Sequence, residues 1–239
     1  MRARSSPVKA LVFDVFGTVV DWRGSIIREV RNLARAKNLD LDPAAFADAW
    51  RSGYQPAMAK VRSGKLDWTK IDALHRMILE DLLVKFQVRG LKEADIEQLN
   101  RVWHRLAPWP DSRAGLRAMK KSRIIATLSN GNVSLLTNMA KFSGLPWDCI
   151  FSGELFHHYK PDPETYLGAC ELLSLKPAQV MMVAAHKNDL FAAKGCGLAT
   201  AFVRRPLEYG PGVKQDLKPE RGFDINADDF VDLARRLGP

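Results

Sequence analysis

The feature that most constrains this chain is an alternation that stops and then restarts. Short, continuous apolar runs end in polar or Gly-rich turns at residues 9–13 (KALVF), 123–128 (RIIATL), 149–151 (CIF), 180–185 (VMMVAA) and 200–203 (TAFV). Continuous runs, unlike alternating ones, mark strands covered on both faces, as in a parallel sheet. Helical patterns over 132–142, 163–174 and 189–196 separate the later runs, and another at 227–237 closes the chain. This spacing predicts an α/β fold with a Rossmann-like parallel sheet.

Between the first and second runs the alternation fails. Residues 20–106 hold four amphipathic helical segments, roughly 24–38, 43–62, 68–86 and 93–106, and no convincing strand. Ile26, Ile27, Val30, Leu33 and Ala34 recur at helical spacing, as do Ile71, Leu74, Ile78, Leu82 and Leu83. Asp42 before Pro43 is a capping residue ahead of a proline at the first helical position. The expected organisation is a Rossmann-like core from residues 1–19 and 107–239, with an inserted all-helical cap domain over 20–106. Such a cap would close over the carboxyl ends of the strands, where open α/β sheets bind ligands.

Composition narrows the classes. The chain has 239 residues and 46% hydrophobic content, enough to fill a sizeable core. Cys149, Cys170 and Cys196 are too few and too unevenly spaced for a disulfide framework or a metal cluster, which points to a reducing compartment. The start MRARSSPVKALVF offers a basic region and then apolar residues, but Asp14 interrupts the run before signal-peptide length. No segment reaches the roughly 20 apolar residues of a spanning helix, so the expectation is a cytoplasmic protein with no membrane partner. The formal net charge of +9 would suit nucleic acid or a field that draws small anions into a cleft. The basic residues are dispersed, among them Arg28, Arg31, Arg35, Lys120, Lys121, Arg204 and Arg205, and nothing alternates aromatic with basic residues. That pattern favours solvated helix faces over a nucleic-acid surface.

Chemistry-bearing residues gather just past the strands. Asp14 and Thr18 follow the first, Ser129, Asn130, Gly131 and Asn132 the second, Lys160 lies near the third, and His186 and Asp189 follow the fourth. A parallel sheet brings these ends to one edge. Singly, each reads as a turn or a cap. Together, in this order, they are hard to explain as turns.

Through DVFGTVVDW (14–22), LSNGN (128–132), YKPDPETY (159–166) and HKND (186–189), the chain resembles the haloacid dehalogenase superfamily, and within it the L-2-haloacid dehalogenases. The resemblance covers nearly the whole chain, the helical insertion included. It implies hydrolysis of short 2-haloacids to 2-hydroxy acids without a cofactor. Asp14 would attack the halogen-bearing carbon and form an aspartyl ester, which water then cleaves. Phosphatases of the superfamily carry a second acid two positions after the nucleophile, to protonate an alkoxide; this chain has Phe16. Halides depart without a proton. Those phosphatases also hold magnesium through a Gly-Asp-x-x-x-Asp pattern, where this chain has VAAHKND with Ala185 in the first acid's place, so no metal is expected.

The resemblance also assigns roles. Lys160 would neutralise Asp14, while Thr18 and Ser129 would position the nucleophile and the substrate carboxylate. Asn130 would meet the halide, as would Arg51, with Arg23 a competing candidate. Tyr166 matches a family active-site tyrosine, though a tyrosine packing a helix onto the sheet fits as well. The usual family offers Ser and Asn where this chain has Ala184 and His186, with Asp189 kept as the acidic anchor. His186 would take over part of the water-holding task, as a base with a pKa near neutrality, or would be a buried histidine satisfied by a carbonyl. His157 and His158 read as loop residues. Fluoride needs extra donors, which His186, Trp22 and Tyr166 would supply; the first motif looks like the subgroup acting on fluoroacetate. Relatives commonly dimerise, so a homodimer is possible. A phosphatase of the same fold and a non-catalytic anion or nucleic-acid binder stay open as alternatives.

Overall fold

The computed structural model describes residues 8–238. Most of the basic N-terminal stretch that could suggest a leader therefore lies outside the described residues. In chain order, β1 (Ala10–Phe13) and β2 (Val20–Asp21) lead into helices α1 (Trp22–Lys37), α2 (Pro43–Arg62), α3 (Ile71–Lys85) and α4 (Glu93–Asn100). A 3-10 turn at Arg101–Arg105 leads to β3 (Ala107–Pro108), α5 (Ser112–Lys120), β4 (Ile124–Ser129), α6 (Val133–Ser143) and β5 (Cys149–Ser152). Then come α7 (Gly153–Phe156), α8 (Pro163–Leu172), β6 (Val180–Ala184), α9 (Lys187–Gly195), β7 (Ala199–Val203), β8 (Ile225–Ala227) and α10 (Phe230–Leu237).

The main sheet runs β5-β4-β1-β6-β7-β8, parallel throughout. β1 is central because all four of its residues are apolar and fully covered. Leu11 and Phe13 face a layer containing Leu116 of α5, Leu135 and Met139 of α6, and Phe230 of α10. Ala10 and Val12 face Tyr166 and Ala169 of α8 and Leu190 of α9. Two-sided burial explains the unbroken apolar runs.

The insertion holds its own aromatic centre. α1 packs on α2 and α2 on α3, and Trp50 meets Trp103 edge to face at 5.6 Å. Asp42 caps α2, its carboxylate accepting from Ala44 and Ala45 N–H, as the Asp-Pro pair predicts. The expectation of no strand within 20–106 needs correction. β2 pairs antiparallel with β3, Val20 opposite Pro108, where the chain leaves and re-enters the core. Both strands have two residues, too short to leave a hydrophobic period. α5 and β8 are also additions to the expected elements, β8 because three residues after a long loop carry no pattern.

Candidate active site

Asp14 stands one residue beyond β1, its N–H continuing the ladder to Val183 O. The next turn brings Thr18 back, so that its Oγ1 donates to Asp14 Oδ2 at 2.6 Å while accepting the Ala185 N–H. Lys160 Nζ donates to Asp14 Oδ1 at 3.0 Å and also to Asp189 Oδ2. Tyr166 donates its hydroxyl to Asp189 Oδ1 at 2.6 Å. The ends of β1 and β6, the loop between α7 and α8, and the N-terminal turn of α8 thereby converge on one carboxylate, lysine, carboxylate chain. Burial opposes the charge of Asp14, but Lys160, then His186 and Thr18, hold its carboxyl well below the usual carboxylate range. Burial likewise works against the Lys160 ammonium, and the two carboxylates more than offset it. Asp189 is pushed up by burial and by Asp14, despite Lys160.

The second side of Asp14 differs from expectation. His186 Nδ1 lies 3.0 Å from Asp14 Oδ2, and its Nε2 lies 2.9 and 3.1 Å from the two oxygens of Glu208. Burial disfavours a charged imidazole here, but Glu208 and the hydrogen bonds to Asp14 and Glu208 push its pKa up to about 10. An imidazole poised near neutrality is thus corrected to an imidazolium donating at both nitrogens. The carbonyl-satisfied alternative is also set aside, because both partners are carboxylates.

Sequence reasoning missed Glu208. It sits in the loop over 204–224, its side chain 1% exposed, and also accepts from Trp22 Nε1 at 3.3 Å. Gly17, at φ +84°, leaves it room, because a Cβ there would collide with the Glu208 carboxylate. The same loop carries Arg205, which donates to Thr18 O and forms a two-pronged pair with Asp111. The available signal is position: this loop leaves the carboxyl end of β7, the same sheet edge at which the other site residues gather.

A cavity of roughly 560 Å³ opens over Asp14, between sheet edge and insertion. Arg51 lines it, with its guanidinium 4.4 Å over the Tyr54 ring and 5.6 Å from that of Trp22. Arg51 Nη1 is buried without a hydrogen-bond partner. Arg23 is instead held in a two-pronged pair with Asp48. Asn130 fastens the lysine loop, its Oδ1 accepting from Lys160 N–H at 2.7 Å, while Nδ2 faces Met58 Sδ and makes a 3.5 Å contact to Lys160 O. Phe16 and Trp22 add apolar wall. Ser129 is buried, its Oγ accepting from Gly131 N–H, and is not among the side chains that line the cavity. His157 and His158 lie outside the cavity, His157 stacked on Trp68.

The suggested fluoride donors are corrected as well. Tyr166 gives its proton to Asp189, the Trp22 indole faces Glu208, and both His186 nitrogens are engaged. Arg51 Nη1 and Asn130 Nδ2 remain as donors toward a leaving group. No helix among the described residues is long and apolar enough to cross a membrane.

A nucleophile-like aspartate at the first strand tip, with a lysine from the α7–α8 loop and a second aspartate past the adjoining strand β6, defines a class, and comparison with known proteins names it. The family model for haloacid dehalogenase-like hydrolases matches residues 8–197, and the chain belongs to that family. Within it the chain groups with the L-2-haloacid dehalogenases. The solved structure of the defluorinating L-2-haloacid dehalogenase Rha0230 is 46% identical, with a TM-score of 0.95 over 99% of this chain and 98% of that one. The L-2-haloacid dehalogenase PA0810 is 49% identical, with a TM-score of 0.91 over 97% of this chain and all of that one. (S)-2-haloacid dehalogenase 4A of Burkholderia cepacia is 29% identical over 84% of this chain and 87% of its own length. A phosphoglycolate phosphatase of Psychrobacter arcticus is 30% identical, over 86% of this chain and 90% of its own.

Proposed function

We propose that this enzyme hydrolyses short 2-haloacids to 2-hydroxy acids through an ester on Asp14, without a metal ion. The observation that carries the reading is the set around Asp14: two cationic donors on the carboxylate, and Phe16, not an acid, two residues on. In the first step an Asp14 oxygen displaces the halide from C2, which leaves with the bonding pair. Arg51 Nη1 and Asn130 Nδ2 meet the leaving halide, and Lys160 keeps the nucleophile ionised. In the second step water attacks the ester carbonyl and passes a proton to Asp189. The bond from that carbonyl carbon to the oxygen now borne by the product breaks, so the hydroxyl of the product comes from Asp14.

A divalent ion does not fit this donor set. Ala185 stands where the phosphatases place an acid, and a cation at Asp14 would lie beside both the ammonium and the imidazolium. Likeness to a defluorinating relative supports fluoroacetate as a substrate, with Arg51 the donor for fluoride. The helical insertion acts as the cap that brings Arg51 to the reacting carbon.

Halide release from fluoro-, chloro- and bromoacetate and from both 2-chloropropionate enantiomers, with and without EDTA, tests the reading. Release indifferent to EDTA is expected. The similarity to a phosphatase names the rival outcome, which is magnesium-dependent cleavage of p-nitrophenyl phosphate without halide release. A single turnover in oxygen-18 water should label Asp14; label appearing only in the hydroxy acid would refute the ester.

A further inference from the structure

We propose that His186 and Glu208 form an electrophilic pair that stabilises the oxyanion of ester hydrolysis, with His186 acting as a fixed donor and not as a base. The inference rests on the ester reading above and assigns Glu208 as the positioning residue.

The two oxygens of Asp14 are not equivalent. Oδ2 accepts from Thr18 Oγ1 at 2.6 Å and from His186 Nδ1 at 3.0 Å, whereas Oδ1 accepts from Lys160 alone. The oxygen with fewer donors keeps more of its lone-pair density, so Oδ1 attacks the carbon and Oδ2 becomes the ester carbonyl oxygen. That oxygen takes up negative charge when water adds, and its two donors are already within hydrogen-bond distance. An imidazole acting as base would need water between Nδ1 and the carbonyl carbon. At 3.0 Å from Oδ2, Nδ1 leaves no room for one.

Glu208 makes this arrangement persist. Once Asp14 is esterified its charge is gone, and His186 keeps one anionic partner, Glu208, which is buried and contacts Nε2 through both oxygens. Glu208 thereby fixes the ring orientation and retains the proton on Nδ1. The other polar and charged groups around the pair include the Trp22 indole donating to Glu208, Thr18 and Lys160 at Asp14, Asp189 behind Lys160, Arg51 across the cavity, Tyr209 beside Glu208, and Asp21 near it. Of these, Lys160 and Arg51 oppose charge on the ring.

The electrons and protons close. Water oxygen bonds to Cγ, the carbonyl π pair moves onto Oδ2, and the water proton goes to Asp189. The pair then returns from Oδ2, the Cγ–Oδ1 bond breaks, and the departing alkoxide takes the proton from Asp189. The re-formed Asp14 carboxyl loses its proton to solvent, so haloacid and water give hydroxy acid, halide and a proton.

Direction of pH dependence separates a donor from a base. Acyl-enzyme is formed by mixing enzyme with bromoacetate, and loss of the adduct is followed by mass spectrometry across pH in the wild type and in Glu208→Gln. The expected wild-type rate falls at alkaline pH as the imidazolium deprotonates, and separately at acid pH as Asp189, the proton acceptor, becomes protonated. In Glu208→Gln that fall should move about 1–3 units lower, the shift expected on losing an adjacent opposite charge. His186→Gln, which keeps a neutral donor, should lose the alkaline fall and hydrolyse its ester at least tenfold more slowly. A wild-type profile with no alkaline fall, or superimposable alkaline limbs for wild type and Glu208→Gln, would overturn the proposal. Should Glu208→Gln not fold, an alkaline fall surviving in His186→Gln would overturn it equally. Absence of any adduct in the wild type would instead refute the ester itself, a separate result.

Discussion

His75 gives the sharpest quantitative test of how the insertion is built. Its ring is fully buried, stacked 4.0 Å from Trp103 and 5.7 Å from Tyr54, and neither nitrogen has a hydrogen-bond partner. Burial, helped by Arg51 and His104 and opposed by Asp72, lowers its pKa from 6.5 to about 3. The folded protein therefore cannot take up a proton that the unfolded chain accepts as pH falls below about 6.5. Stability is present above that value and is lost on acidification toward pH 3. Between pH 7 and pH 5 the loss is about 1.5 pK intervals, or about 2 kcal/mol at 1.36 kcal/mol per unit. Replacing His75 with Phe removes the titration and keeps an aromatic ring in the stack. The substitution also removes two orphaned polar atoms and adds bulk, which pull in opposite directions by about 1–3 kcal/mol each. Those packing terms are common to both pH values and cancel in the difference. Urea unfolding of both proteins at pH 7 and pH 5 should show the wild type losing about 2 kcal/mol more than His75→Phe. Equal losses would refute the argument, because they would mean that folded His75 titrates normally.

Substitutions at and near the site have four further expected outcomes. Lys160→Met leaves Asp14 and Asp189 buried without their shared cation; the halide burst should slow by at least a hundredfold and acquire an acidic limb, read by stopped-flow halide release, because one of the carboxylates now holds a proton. Arg51→Lys keeps the charge but loses the planar fork over Tyr54, and kcat/KM for chloroacetate should fall by about 10–100-fold, equivalent to one charge-assisted hydrogen bond. The same change at Arg23, paired with Asp48, should alter kcat/KM less than threefold. Arg205→Lys breaks a buried two-pronged pair to Asp111 and the bond to Thr18 O, and should cost about 3 kcal/mol in urea unfolding.

Legibility in the sequence tracks the length over which a physical signal accumulates. The five longer strands are readable because burial on both faces writes several apolar residues in a row. The two-residue β2 and β3 write nothing, and they are what ties the insertion to the core. Asp14, Lys160 and Asp189 are reachable because strand tips in a parallel sheet must converge. Arg51 can be named only by resemblance, and the structure separates it from Arg23 by the partner each has. Glu208 lies in a 21-residue loop with no spacing rule to link it to His186. Without it, His186 reads as an ordinary strand-end histidine near neutrality; with it, the ring is a cation. A histidine's charge depends on what tertiary structure places beside it, which local sequence does not contain.

Surrounding the proposed nucleophile with two cations has a cost that the geometry distributes unevenly. Each donor on a carboxylate lowers its basicity and slows its attack on carbon. Lys160 is required on Oδ1 because a buried carboxylate without a counter-charge would take up a proton and not attack at all. A second cation on that same oxygen would slow the first step with nothing gained. On Oδ2 it acts on the oxygen that does not attack, and its effect falls on the second step, where charge appears on that oxygen. A divalent ion would bind one or both carboxylate oxygens and could not be confined in this way. On the proposed route, where the leaving group departs without a proton, hydrolysis of the ester is where extra stabilisation is useful, and that is the step we assign to His186 and Glu208.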